Sequence, residues 1–257
     1  MRSIAVFNQK GGSGKTTTTV SLSAAIAEYG RRVLVVDMDP QGTATNWFGI
    51  KDAGRGIADI FISVRSLVEL VRPTAVMGVN LVPASTWLLG AEKVLSWEVG
   101  TVQIFSKTMT SLPHGQWDYL IVDCPPALGI LTANALIGVE EVLIPIEAHH
   151  LALPSVDRVI TSVESLRNHL NPELRITGIL ACRVDSRTRH SKNIVQELRS
   201  RFGDLVFKVE IRENVRLAEA PSQGQPITLY DSQCTGARDY RDLAHEIMAG
   251  EGEGHGS

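Results

Sequence analysis

The sequence predicts an α/β protein, a single domain built on a mostly parallel, twisted sheet with helices on both faces. Its 257 residues are 44% hydrophobic, enough for one large α/β domain or two small ones. Continuous apolar runs such as 33–36 are rich in β-branched residues, which is typical of parallel strands buried on both faces. The first run, 3–7, leads into a glycine-rich loop and a helical pattern, a combination that favours phosphate binding in an open α/β sheet.

The glycine-rich loop lies between a predicted strand, Ser3–Phe7, and a predicted helix that includes Thr19–Ala27. Glycines lack a Cβ atom, so backbone N–H groups can surround a phosphate chain, and the helix N-terminus adds partial positive charge. In this setting Lys15 would reach the β- and γ-phosphates and the Thr16 hydroxyl would bind Mg²⁺. The alternative is a plain glycine turn, against which the Gly-Lys-Thr sequence argues. The loop residues predicted to hold a nucleotide are Lys10, Gly11, Gly12, Ser13, Gly14, Lys15, Thr16 and Thr17.

Two further predicted strands end in acidic residues beside this loop. The run 32–36 ends at Asp37, and the run 119–122 ends at Asp123. In open α/β sheets, ligands bind at the carboxyl ends of the strands, so Asp123 is expected to hold Mg²⁺ through its water shell. Asp37 and Asp39 could instead be strand-end residues that cap a turn. Cys124 is expected to be a small buried residue and not a redox group.

The remaining elements follow from short periodic patterns. Helical segments are predicted at 56–61, 66–69 (with a capping box), 87–112 (mixed), 154–169, 193–202 and from 236 onward. Strands are predicted at 79–83, 141–146, 176–183 and, as an edge strand, 206–209. Core candidates in the mixed helix are Leu88, Leu89, Val94 and Leu95, and the tryptophans interpreted as packing residues are Trp47, Trp87 and Trp97. The domain is predicted to span 1–249, and the Gly/Glu-rich tail 250–257 to be disordered.

The loop departs from the usual phosphate-loop pattern, because Gln9 stands where the first glycine is expected and a second lysine, Lys10, opens the motif. The form Lys-Gly-Gly-x-Gly-Lys-Thr-Thr resembles the deviant Walker A loop of the ParA/MinD family of ATPases. Asp-x-Asp-Pro-Gln-Gly at 37–42 matches a second family motif, and Asp-x-Pro-Pro at 123–126 matches a third. The segments that resemble the chromosomal ParA (Soj-like) branch are Asp-Ser-Arg-Thr at 185–188 and Asn-Val-Arg-Leu-x-Glu-Ala-Pro at 214–221. The resemblance covers nearly the whole chain.

The resemblance implies a P-loop ATPase of the deviant Walker A type with ATP and Mg²⁺ as cofactors. Lys10 would reach across an ATP-dependent homodimer to the partner's phosphates. Asp39 would position or activate the attacking water, and Asp37 would lie near Mg²⁺. The catalytic set is then Lys10, Lys15 and Asp39, and the metal set is Thr16, Asp37 and Asp123. Relatives hold the adenine ring at the positions of Arg183, Arg212 and Asn214, although many carry proline at the position of Arg212.

The resemblance also implies a slow ATPase switch that partitions DNA in the cytoplasm, on the nucleoid. Basic residues cluster after Cys182 in a chain whose net charge is only −3, and loop arginines and lysines neutralise phosphates without reading sequence. In the Soj-like branch such residues line a non-specific double-stranded DNA surface on the ATP-bound dimer. A ParB-like centromere-binding protein would stimulate hydrolysis. The residues carried over are Arg187, Arg189, Lys192 and Arg216, for which an ordinary solvated surface is the alternative.

One segment departs from the family pattern. Many members carry glutamate and tyrosine where His149 and His150 stand, in a segment that usually lies near the dimer interface. Neighbouring residues on a strand or helix point apart, so these two histidines are not expected to share a metal ion. The departure affects the contacts expected between subunits.

Three other classes remain as alternatives. A MinD-like membrane-associated positioning ATPase would need a C-terminal amphipathic helix, whereas the tail here is glycine and glutamate, and no membrane partner is expected. A nitrogenase-reductase-like electron carrier would need paired cysteines around a cluster, but the three cysteines show no such spacing and fit a reducing cytoplasm. A small-molecule ligase on the same fold would not need the basic residues, and Asp-Pro-Gln-Gly argues against it.

Overall fold

The apolar runs form the strands of one sheet in the computed structural model, which describes residues 1–63, 65–95, 100–149 and 151–250. The strands are β1 (Arg2–Val6), β2 (Val33–Asp37), β3 (Arg72–Pro73), β4 (Val79–Val82), β5 (Tyr119–Asp123), β6 (Glu141–Glu147), β7 (Arg175–Val184) and β8 (Ile211–Arg212). Their order across the sheet is β3-β4-β2-β5-β1-β6-β7-β8, and within the described ranges only β3 runs antiparallel to its neighbour. The predicted α/β class with a mostly parallel sheet is therefore confirmed.

Helices cover both faces of this sheet. They are α1 (Lys15–Glu28), α2 (Thr43–Trp47), α3 (Ala58–Ile62), α4 (Trp87–Leu95), α5 (Ile104–Met109), α6 (Ile130–Ile137), α7 (Ala152–His169), α8 (Arg189–Phe202), α9 (Val215–Glu219), α10 (Ile227–Tyr230) and α11 (Thr235–Ala249). Helices α1, α2, α10 and α11 contribute to the core on one face, and α3 to α8 to the core on the other. No helix in the described ranges has both the length and the apolar character needed to cross a bilayer.

Alternation along the strands explains the two cores. In β2, Val33 and Val35 face the α1 side, while Leu34 and Val36 face the α6 side, and all four are fully buried. Both faces need apolar residues, so the strand reads as a continuous apolar run. Burying each such side chain contributes about 1.5–3 kcal/mol, which makes the central strands a rigid base for the loops at their ends.

Some local predictions are wrong. The segment 206–209 is not an edge strand: Val206 makes a single bridge to Ile179, and the N–H groups of Lys208 and Val209 donate to the Glu246 carboxylate. The edge is formed by β8 instead. A short 3₁₀ turn, Leu67–Leu70, stands where the capping box was predicted, and its cap makes no side-chain hydrogen bond.

The core assignment in α4 is half right. Leu88 and Leu95 are buried, whereas Leu89 and Val94 are exposed, since they lie on the side of the helix that faces solvent. Trp47 is buried as predicted. Trp87 is 53% exposed with the Arg55 guanidinium over its ring. Trp97 and most of the tail predicted to be disordered, 251–257, lie outside the described residues, and α11 ends at Ala249.

The register of the central strands sets the position of the site. Asp37 at the end of β2 lies directly opposite Asp123 at the end of β5, and Val6 at the end of β1 also pairs with Asp123. Adjacent strands are about 4.8 Å apart, so both carboxyl groups start within reach of the loop that follows β1. The phosphate-type loop and the two acidic strand ends therefore share one edge of the sheet.

Candidate functional site

The glycine-rich loop borders a cavity of about 1140 Å³, a volume suited to a ligand of nucleotide size. Gly12 and Gly14 have positive φ angles of 76° and 96°, which favour glycine, and Gly14 immediately precedes α1. A Cβ atom at Gly11 or Gly12 would meet nothing within 4 Å, so the backbone of the loop is open on that side. The loop residues that line the cavity are Gly11, Gly12, Gly14, Lys15, Thr16 and Thr17, whereas the Ser13 side chain is buried without a hydrogen-bond partner.

Lys15 supplies positive charge inside the cavity. Its side chain is largely buried, and its Nζ donates a hydrogen bond to the Lys10 carbonyl oxygen at 3.1 Å. Burial lowers the pKa of this ammonium group, while Asp123 and Asp39 act in the opposite direction. A buried ammonium group at a helix N-terminus, with nearby carboxylates that favour its charged form, provides a suitable environment for phosphate oxygens.

Lys10 points elsewhere. Its Nζ contacts Nε2 of His149 and lies 3.5 Å from Oε2 of Glu147, so the side chain folds against the end of β6 in its own chain. Of the described residues, those lining the cavity do not include Lys10. His149 therefore lies beside the residue that the family resemblance assigns to the dimer contact, and its neighbour His150 lies outside the described residues.

Asn8, which sequence reasoning missed, fixes the start of the loop. This buried side chain donates to the Pro145 carbonyl oxygen at 2.7 Å. Its Oδ1 accepts hydrogen bonds from the Lys10 N–H at 2.9 Å and from the Ser155 hydroxyl at 3.1 Å. The polar residue at the end of an apolar run was the available signal, since a buried amide must find partners.

Asp37 and Asp123 form a buried acidic pair under the loop. The Thr16 hydroxyl donates to Asp123 at 2.8 Å, and the Thr19 hydroxyl does so at 3.2 Å. Burial raises the pKa of Asp37 to about 6. Burial, together with the charge of Asp37, raises the pKa of Asp123 well above its ordinary value. Two buried carboxyl groups that resist ionisation favour a cation between them and the phosphates.

The oxygen donors Thr16, Asp37 and Asp123 suit Mg²⁺, a hard cation. Within the described ranges no group of three or more His, Cys, Asp or Glu side chains surrounds a metal position. This agrees with the habit of Mg²⁺ of binding through one or two carboxylates, several waters and substrate phosphates. The residues present therefore fit Mg²⁺ bound together with a nucleotide.

Asp39 lines the cavity and is half-buried. Its N–H donates to Oδ1 of Asp37 at 3.2 Å, and its own Oδ1 accepts from the Gln41 N–H at 2.9 Å. The carboxylate is therefore held by its own turn, beside the cavity that the loop residues also line.

The three residues expected at the adenine all line the cavity, but they differ in availability. Arg183 has a positive φ of 52° at a β-bulge next to β8. Its side chain is 65% exposed, and its guanidinium lies 3.5 Å from the Glu147 carboxylate. The Arg212 guanidinium is paired with the buried carboxylate of Asp239. Asn214 caps α9 by accepting the Arg216 N–H, so its side chain also serves the local fold.

The four predicted DNA-binding residues divide into two pairs. Arg187 is bonded to Asp185 at 2.9 Å, and Arg216 to Glu219 at 2.9 Å, so their charges are compensated. Arg189 and Lys192 lie exposed in the first turn of α8, and neither has an ion pair within 4.0 Å in the described part of the chain. Of the four residues, Arg187 lines the cavity, whereas Arg189, Lys192 and Arg216 are not among its lining residues.

Two of the three cysteines lie beneath the site. Cys124 follows β5 and is fully buried, as predicted, and burial raises its pKa well above the ordinary value. Cys182 lines the cavity under Gly14, and burial raises its pKa to about 12. Cys234 is half-buried and caps α11, where its sulfur accepts the Ala237 N–H.

Several known proteins are similar in sequence to this chain along nearly its full length. A family profile described as "AAA domain" matches residues 1–176. The sporulation initiation inhibitor protein Soj of Bacillus subtilis is 40% identical over 248 residues, which cover 96% of this chain and 98% of Soj. The chromosome partitioning protein ParA of Myxococcus xanthus is 41% identical over 249 residues, covering 96% of this chain and 88% of ParA. The chain belongs to the ParA/Soj family.

A solved structure shows that this family fold extends to other activities. The cobyrinic acid a,c-diamide synthase of Mycobacterium smegmatis, with bound ATP analogue and magnesium, superposes with a TM-score of 0.86 at 31% identity. The match covers 99% of this chain and 97% of that one. The ParA/Soj assignment confirms the family predicted from the loop and strand-end motifs, and the solved relative shows a ligand pair of the kind that the site geometry suits.

Proposed function

We propose that this ParA/Soj-family protein is an ATPase that partitions DNA, using ATP and Mg²⁺ and hydrolysing ATP slowly to ADP and phosphate. The observation that carries the proposal is the contrast between the two loop lysines. Lys15 faces the cavity, whereas Lys10 does not line it and is held against β6. Because the Lys10 side chain does not line the cavity of its own subunit, it is suited to complete the site of a second subunit. The active form would then be an ATP-dependent homodimer.

The side chains at the site would have different roles in hydrolysis. The loop N–H groups and Lys15 would hold the phosphates, and Thr16, Asp37 and Asp123 would hold the metal through its water shell. Mg²⁺, when bound, would neutralise charge on the phosphate oxygens. Asp39 would orient the attacking water, and Lys10 of the second subunit would add positive charge at the γ-phosphate. Arg183, Arg212 and Asn214 would border the adenine, with Arg183 having the freest side chain.

DNA binding is proposed to occur on the α8 surface of the ATP-bound dimer. Arg189 and Lys192 have uncompensated charges, so each can neutralise a DNA phosphate without first breaking an ion pair. Arg187 and Arg216 would have to leave Asp185 and Glu219, so their contribution is smaller. A ParB-like partner with a basic peptide would stimulate hydrolysis and release the dimer from the nucleoid in the cytoplasm.

A second candidate function is a small-molecule ligase, which the 31% identity to the cobyrinic acid a,c-diamide synthase supports. Such an enzyme would couple ATP turnover to a metabolite and would not need the α8 charges. A MinD-like membrane-associated ATPase is the third candidate. ATP turnover that appears only with a metabolite would favour the first of these alternatives, and ATP-dependent pelleting with liposomes the second.

The test measures binding of duplex DNA of unrelated sequences with ATP, ADP or no nucleotide, using Asp39→Ala to retain ATP. The expected result is binding that requires ATP and weakens with salt. Arg189→Ala and Lys192→Ala should each weaken binding and reduce the salt slope by about one unit per charge removed. Arg201→Ala is the matched control, because Arg201 lies on the same helix but is paired with Asp157. A dimer that forms with ATP but ignores DNA would refute partitioning while leaving the ATPase site intact.

A further inference from the structure

Thr45, the middle residue of the short helix α2, joins two strand ends through one hydroxyl group. Its backbone N–H and its Oγ1 both donate to Oδ2 of Asp37, at 2.8 and 2.7 Å. The same Oγ1 accepts the N–H of Ala84, just beyond β4, at 2.9 Å. Thr45 and Ala84 are both buried. The hydroxyl therefore uses its donor toward β2 and its acceptor toward β4.

The segment between Asp37 and Thr45 is closed into a ring of hydrogen bonds with Asp39 inside it. Oδ1 of Asp37 takes the Asp39 N–H at 3.2 Å, while Oδ2 takes the two donors of Thr45. The Asp39 carbonyl accepts the Gly42 N–H at 2.9 Å. Asp37 thus holds both ends of the ring, and the Thr45 hydroxyl attaches the ring to β4.

The β4 attachment is firm because β4 pairs with β2 in parallel register, with Val36 opposite Val82. The backbone after Val82 is also held from another direction, since the Ile57 N–H donates to the Pro83 carbonyl at 2.8 Å. A displacement of about 1 Å in a reacting group can cost about 100-fold in rate, so the fixing of this ring matters for Asp39. Thr45 itself is not among the described residues that line the cavity.

We propose that Thr45 is a positioning residue whose hydroxyl holds the Asp39 segment against β4 and thereby sets the rate of hydrolysis without contributing to nucleotide affinity. The proposal rests on the proposed ATPase function. The two groups of Thr45 differ in what they hold: the N–H remains in every variant and still donates to Asp37, while the hydroxyl makes a second bond to Asp37 and the link to Ala84. Losing the hydroxyl should therefore loosen the Asp39 ring and leave the glycine loop unchanged.

Thr45→Ser retains the hydroxyl, and Thr45→Val removes it at nearly constant shape. Single-turnover ATP hydrolysis, ADP affinity by calorimetry and backbone hydrogen exchange of the nucleotide-free protein would be measured for both, with Thr45→Ala as a second variant lacking the hydroxyl. The expected result for Thr45→Val is a hydrolysis rate lower by tenfold or more, an ADP Kd within about twofold, and faster exchange at 39–45 but not at 11–16. Thr45→Ser should stay within about twofold of the wild type on all three.

Several results would overturn the proposal. Equal rates for Thr45→Val and Thr45→Ser would remove the role of the hydroxyl. A lower melting temperature with an unchanged rate would show a merely structural residue, and an ADP Kd that rises in step with the loss of rate would show a role in binding. A wild-type protein that hydrolyses no ATP would instead refute the proposed function, and exchange at 39–45 would still decide whether the hydroxyl holds the segment.

Discussion

Asparagine in place of Asp37 should stabilise the nucleotide-free protein at neutral pH, because it removes a carboxylate that the fold holds at a cost. Burial raises the pKa of Asp37 to about 6, against 3.8 for the free side chain. One pKa unit corresponds to about 1.4 kcal/mol, so ionising Asp37 in the folded state lowers stability by ~3 kcal/mol. Its charge also raises the pKa of Asp123, so the substitution relieves that neighbour as well.

The direction in which stability changes with pH follows from proton binding. Between pH 4 and 6 the folded protein keeps a proton on Asp37 that the unfolded chain loses, so the contribution of Asp37 to stability falls as pH rises through this window and then levels off. Both oxygens of Asp37 accept backbone N–H groups, so in the asparagine variant the side-chain NH₂ group must face one of these donors. The lost hydrogen bond costs about 1–2 kcal/mol of stability. The net gain near pH 8 is about 1–2 kcal/mol, or about 3–6 °C in Tm.

Urea or thermal unfolding without nucleotide or Mg²⁺ at pH 4.5, 6 and 8 would measure this difference. The advantage of Asp37→Asn over wild type should grow with pH. Asp118→Asn is the control: hydrogen bonds to Arg32 lower the pKa of Asp118 below its ordinary 3.8, so the stability that this carboxylate contributes is fully present above about pH 4 and that variant's deficit should stay constant from pH 4.5 to 8. A stability difference for Asp37→Asn that is constant with pH, or that turns against the variant at pH 8, would refute the reasoning.

Two further predictions concern the packing around the site. Ser13→Ala should raise the free energy of unfolding by about 1 kcal/mol, because the Ser13 hydroxyl is buried without a hydrogen-bond partner. Ser155→Ala should lower it, because the Ser155 hydroxyl donates to Asn8. Thermal melts of both variants would compare them, and a loss of stability for Ser13→Ala would contradict this prediction. Gly54 and Gly56 have nearly equal positive φ angles of 55° and 56°, but only at Gly56 would a Cβ atom overlap the Pro83 carbonyl oxygen. Urea unfolding should show a loss of about 1 kcal/mol for Gly54→Ala and more than about 3 kcal/mol for Gly56→Ala, and equal losses would exclude the overlap as the cause.

Sequence reasoning reached the parts of the site that follow from local pattern and strand order. Lys15 and Thr16 could be placed because a Gly-Lys-Thr loop between a strand and a helix is a known phosphate-binding pattern. Asp37 and Asp123 could be placed because the carboxyl ends of parallel strands meet at one edge, and the structure pairs them in register. These inferences need no knowledge of side-chain contacts between distant segments.

The residues that sequence reasoning missed act through such contacts. Thr45 meets Ala84, 39 residues later, and Asn8 meets Pro145, 137 residues later, and neither link has a local signature. The mistaken edge strand at 206–209 has the same cause. Its Val-Phe-Lys-Val pattern favours a strand, but a carboxylate from α11, Glu246, takes the N–H groups that a neighbouring strand would have bonded.

The full burial of Cys124 at the end of β5 makes its thiol a reporter of local opening at the site. At neutral pH a maleimide reagent should label the half-buried Cys234 first, since thiolate fraction and access govern the reaction. Cys182 lines the cavity, and its raised pKa keeps its thiolate fraction low. Cys124 is fully buried and also has a raised pKa, so it should react only when the cavity region transiently unfolds. The slow labelling of Cys124 therefore measures the rate at which the site opens locally in the native chain, without an introduced probe.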